Sequence, residues 1–90
     1  MAEITVTRIS ENTFRVAVVE GDSQTVHNVT ALDADSRRYG GDVPAERLIE
    51  LSFEFLLERE AKESILTTFD LPIIEHYFPE YPRAIQKRLG

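Results

Sequence analysis

At 90 residues, with 16 acidic against 10 basic side chains, a formal net charge of −6 and no cysteine, the chain excludes a disulfide framework, a thiolate metal site and a phosphate-tracking basic groove. Its size allows one domain over residues 1–90 that buries only about 60–65% of the surface its unfolded form exposes, a thin margin that a self-associating surface would widen. The start, Met1-Ala2-Glu3-Ile4-Thr5-Val6-Thr7, has neither the basic nor the apolar region of a signal peptide, and the longest apolar run is Val16-Ala17-Val18-Val19, so a cytoplasmic setting without membrane contact is expected.

The first third reads as three strands. Ile4 and Val6 alternate with Thr5 and Thr7, Phe14, Val16 and Val18 alternate with Arg15, Ala17 and Val19, and Gln24 to Ala31 gives a third run rich in Thr and Val. The turn-rich clusters Ser10-Glu11-Asn12-Thr13 and Glu20-Gly21-Asp22-Ser23 are short, and short connections join neighbouring strands antiparallel. The expectation is a meander in order 1-2-3, with the second strand central because it is apolar on both faces.

From Leu32 the period changes. Asp33 to Tyr39 forms at most a short helix, with Asp33 as N-cap, Gly40 as the residue past its end and Gly40-Gly41 as its stop. A main helix is predicted from Asp42 or Val43 to about Arg59, with Pro44 in its first turn, where a missing N–H does no harm. At 100° per residue Glu46, Glu50, Glu54, Glu58 and Arg47 fall within one arc of about 120°, and nine mostly apolar residues from Ala45 to Leu57 fill the rest. A helix resting on one sheet needs an apolar stripe of only about 100°, so this one must be covered from at least two sides.

The C-terminal segment is the expected cover. Ser64 would cap a short helix bearing Ile65, Leu66 and Phe69. Asp70 would cap the next, beginning at Leu71-Pro72 with Ile73, Ile74, Tyr77 and Phe78 on its apolar side. Pro82 would open a last helix with Tyr81, Ile85 and Leu89 on one face. The predicted fold class is therefore α+β, a three-stranded antiparallel meander followed by a main helix and two or three shorter C-terminal helices.

The residues offer little chemistry. His76 and Glu80 have the i, i+4 spacing of metal ligands on one helix, with Glu75 beside them, but Pro79 interrupts that helix and no second cluster exists. His27 shares a strand face with Thr25, Val29 and Ala31, where a hydrogen-bonded structural histidine is the expectation. With two histidines, no cysteine and no G-x-S-x-G elbow, a nucleophile and its base are hard to assemble. No catalytic residue, cofactor or metal is expected. Two features could meet a protein partner. One is the acidic ridge Glu46, Glu50, Glu54 and Glu58, which reads first as a solvated face and second as a docking edge for a basic partner. The other is the cluster Tyr77, Phe78 and Tyr81, which reads either as core or as an interface, where aromatics are enriched.

The phrases Phe53-Glu54-Phe55-Leu56-Leu57-Glu58-Arg59-Glu60, Ser64-Ile65-Leu66 and Phe69-Asp70-Leu71-Pro72-Ile73-Ile74-Glu75-His76-Tyr77-Phe78-Pro79-Glu80-Tyr81 resemble those of a family of short bacterial proteins of unknown function with a strand-rich N-terminal half. The resemblance spans most of the chain and implies no activity. The functional expectation is a protein acting by protein–protein contact, with itself as a homodimer or with another chain, and with no nucleic acid bound. The alternatives are a regulatory binding module, antitoxin-like or transcription-associated, and a small enzyme using His27 or His76.

Overall fold

The computed structural model describes residues 2–90. Strands β1 (Glu3–Arg8), β2 (Thr13–Glu20) and β3 (Ser23–Thr30) form the expected antiparallel meander, and α1 (Asp33–Gly40) and α2 (Ala45–Leu57) follow. A 3-10 turn (Lys62–Ser64), strand β4 (Thr68–Asp70) and helices α3 (Ile73–Tyr77) and α4 (Tyr81–Leu89) complete the α+β fold. The β2–β3 hairpin closes on Gly21-Asp22, between the paired residues Glu20 and Ser23. Gly21 has φ of 58° while no non-glycine residue described has positive φ, which makes the turn type II′, the form whose twist matches the strands and whose first central residue favours glycine.

The sheet has four strands in order β1-β2-β3-β4, not three, and β4 runs parallel to β3. Ser64 therefore does not start a helix. The segment is extended from Ile65, Asn28 N–H donates to the Thr67 carbonyl at 2.7 Å, and Leu71 N–H donates to the Thr30 carbonyl at 2.9 Å. Three residues are too few to show a strand period, and Ile65, Leu66 and Phe69 happen to be spaced as on a helix. The pairing is decided by β3, some forty residues earlier, across the long crossover that a parallel pair requires.

Helix ends also differ from expectation. Leu32 and Pro44 take the N-cap positions of α1 and α2, and Pro72 that of α3, each without a side-chain cap. Asp33 instead places its carboxylate in the first turn of α1, where the helix dipole favours it. Gly40 is the last residue of α1 and lies so close to α2 that a Cβ there would meet Leu48 at 3.2 Å; Gly41, at φ 62°, ends the helix.

The core fills the space between one sheet face and the helices. Phe14, Val16 and Val18 of β2 and His27 and Val29 of β3 point inward and are buried, while Thr5, Arg15 and Asn28 on the other face stay at least partly open to solvent. Helix α2 lies against β1 on one side and against α1 and α4 on the other. Its Leu48, Ile49, Leu51, Phe53, Phe55 and Leu56 are all buried. The wide apolar arc of this helix is thus covered within one chain. Among the described residues no helix is long and apolar enough to cross a membrane.

Candidate functional site

The acidic ridge lies along α2, but the fold supplies its cations. Arg8 Nε approaches Glu46 at 3.5 Å, Arg47 Nη1 approaches Glu50 at 2.7 Å, and Arg88 of α4 approaches Glu54 at 3.8 Å. Arg88 also bonds Glu58, which Arg59 Nη1 meets from the other side at 3.3 Å. The Arg88 hydrogen bond, joined by Arg59, holds the Glu58 carboxyl below its usual range. Such exposed pairs contribute little stability each. They do neutralise the ridge, and Arg88, thirty residues away, was not readable as its partner.

Of the three aromatics expected at an interface, Tyr81 is internal. It is fully buried, its ring lies 5.0 Å from that of Tyr39 and 5.4 Å from that of Phe55, and its hydroxyl is 2.7 Å from Ser52 Oγ. Ser52 donates its single proton to the Leu48 carbonyl at 2.7 Å, so Tyr81 must donate to Ser52. This correction removes Tyr81 from the partner-binding set and, with α2 covered inside the chain, removes the surplus-area ground for a homodimer. Tyr39 hydrogen-bonds Glu75 at 2.7 Å, and burial followed by that carboxylate pushes its phenol up to about 12.

Tyr77 and Phe78 differ from Tyr81. Phe78 is half-buried with its ring edge-on to Phe55, and Tyr77 is 61% exposed, in contact only with the exposed ring of His76 among the aromatics described. Together with the segment before β4 they enclose an apolar cleft of about 150 Å³. Buried Leu56, Ile65, Phe69 and Ile74 form its base, and Leu66, 47% exposed, stands with Tyr77 at its mouth. Two polar residues, Glu60 and Ser64, belong to the lining.

One wall of this cleft is pinned to the sheet by the residues around it. His27 is buried, and its Nδ1 lies 2.8 Å from the Leu66 carbonyl while Nε2 lies 2.9 Å from Thr25 Oγ1. A carbonyl only accepts, so Nδ1 carries a proton toward Leu66. Lys62, 4% exposed, bonds Glu63 at 2.7 Å and Glu20 at 3.2 Å. These carboxylates, Glu63 foremost, hold its ammonium above the usual range. His27 is thus a positioning residue for Leu66. Its i, i+2 spacing from Thr25 inside a strand was the readable half of that arrangement, and the Leu66 carbonyl was not.

His76, Glu75 and Glu80 are not brought together. Glu75 bonds Arg38 at 2.8 Å and Tyr39, Glu80 bonds Arg59 Nε at 3.0 Å, and α3 ends at Tyr77. Among the described residues no three or more His, Cys, Asp or Glu side chains gather at metal-binding separation. Comparison with protein-family models, with curated proteins and with solved structures finds no match for this chain.

Proposed function

We propose that this protein works by protein–protein contact, with no reaction of its own, and that the apolar cleft between Leu66 and Tyr77 is where the partner sits. The size of the cleft carries the reading. Sites for metabolites and cofactors typically run to about 300–1,000 Å³, whereas about 150 Å³ matches an apolar cavity that takes one benzene-sized group. A socket for one ring or branched aliphatic side chain is what an interface anchor needs. The nucleic-acid and enzyme readings gain no comparable support, because Arg88 of α4 is engaged by Glu54 and Glu58 and both ring nitrogens of His27 are bonded internally.

The test is photocrosslinking in living cells from a photoreactive phenylalanine at Tyr77, with a second probe at Thr5 on the open sheet face. The expected result is a discrete protein adduct from Tyr77 alone, lost when Leu66→Asp places a charge at the mouth. Equal labelling from both positions, or no protein adduct together with thermal stabilisation by a small metabolite, overturns the reading.

A further inference from the structure

We infer that the occupant of this cleft is a basic segment of another protein, presenting one large apolar side chain with a lysine or arginine next to it. The inference rests on the proposed function and adds the chemistry of the partner. Glu60 is half-buried in the lining and has no ion-pair or hydrogen-bond partner for its carboxylate among the described residues, in contrast with the paired carboxylates of Glu58, Glu63, Glu75 and Glu80. A carboxylate at the side of an apolar socket is most favourably matched by a cation brought in with the anchor, since partial removal from water strengthens the attraction.

Of the five carboxylates between Leu56 and Phe78, Glu58, Glu63 and Glu75 are paired with Arg88, Lys62 and Arg38, so the unpaired charge in the cleft lining is that of Glu60. A second copy docked cleft to cleft in the usual two-fold arrangement would bring no cation to Glu60 and would add a second Glu60 carboxylate to the same seam, and juxtaposed like charges oppose association. Charge therefore favours a basic partner over self-association at this face.

Two synthetic dodecapeptides test the inference, each with a single central phenylalanine in a glycine-serine background, one flanked by lysines and one by glutamates. Binding is followed by amide chemical shifts and by fluorescence anisotropy. The lysine peptide is expected to perturb Glu60, Ile65, Leu66 and Tyr77 and to bind about fivefold or more tightly than the glutamate peptide, the equivalent of one good ion pair. High salt should erode that ratio, and Glu60→Gln, a mild change on a folded background, should abolish it. Equal binding of both peptides at the cleft overturns the basic-partner inference and leaves the apolar contact standing. Failure of both at millimolar concentration, or shifts elsewhere on the molecule, overturns both. A dimer in light scattering that Tyr77→Glu dissociates identifies a second copy as the occupant and also overturns the inference.

Discussion

Tyr77 and Tyr81 lie four residues apart in one aromatic run, yet one is 61% exposed and the other has no exposed surface. Phe55 touches both neighbourhoods, with its ring 5.4 Å from Tyr81 and 5.9 Å from Phe78. What separates them is the destination of the hydroxyl. A buried phenol needs an acceptor, and Ser52 of α2 supplies one at 2.7 Å to Tyr81 at the start of α4. The Tyr77 hydroxyl has no hydrogen-bond partner among the described residues, and the side chain stays at the cleft mouth. Equal apolar content thus produces a closed layer on one side of Phe55 and an open socket on the other.

The largest way to break this contrast is to empty the closed side. Phe53 is 1% exposed, its ring lies 5.2 Å from that of His27 and 6.1 Å from that of Phe69, and it joins α2 to β3 and β4. Phe53→Ala should cost about 3–5 kcal/mol, most of the stability of a small domain. A urea midpoint unchanged by the substitution would refute the placement of α2 against the sheet.

A smaller effect isolates the hydroxyl. Ser52→Ala leaves the Tyr81 phenol without its acceptor in a buried layer and should cost about 1–3 kcal/mol. Adding Tyr81→Phe removes the orphaned group and should recover part of that loss. A double-mutant cycle with no coupling energy between the two positions would show that the bond does not decide the burial of Tyr81.

How much of this was legible depends on the range of the interactions. The meander was readable because Ile4, Val6, Phe14, Val16 and Val18 repeat with period two and Gly21-Asp22 turns the chain locally. The burial of Ile49, Phe53 and Leu56 followed from the wheel, opposite the acidic ridge. Strand β4 was not readable, because Thr68–Asp70 is defined by its partners Asn28, Val29 and Thr30. The cleft was half legible: Tyr77 and Phe78 stood out as aromatic, but Glu60, Ile65 and Leu66 joined them only once β4 drew that segment to the sheet edge. The choice between core and interface for Tyr81 was not readable for the same reason, since its hydroxyl partner Ser52 lies 29 residues away in sequence.

Alkaline pH sharpens the comparison further. An ordinary phenol ionises near pH 10, and the fold pushes Tyr39 up to about 12, through burial first and then the hydrogen bond and charge of Glu75; burial raises Tyr81 as well. Between these values the unfolded chain releases protons that the folded chain keeps. The stabilisation is therefore complete below about pH 10 and is lost as the pH rises toward 12. Tyrosinate absorbance should show two phenols ionising late, and Tyr39→Phe should remove one of them and flatten the alkaline loss of stability. Ordinary ionisation of Tyr39 in the folded protein would contradict the buried Tyr39–Glu75 contact.

The smallest expected effect falls on the open side. Tyr77→Ala removes a side chain that is mostly in water and has no hydrogen-bond partner for its hydroxyl among the described residues, so stability should change by no more than about 0.5 kcal/mol. Phe78, half-buried against Phe55, should cost distinctly more when truncated, which provides the internal scale for the measurement. Denaturation midpoints of the two variants, set beside crosslinking yield from the cleft, separate a packing role from a contact role. If Tyr77→Ala destabilises as much as Phe78→Ala, then Tyr77 closes the core. A near-neutral midpoint with loss of the crosslinked partner is the pattern expected of a residue held at the surface for recognition.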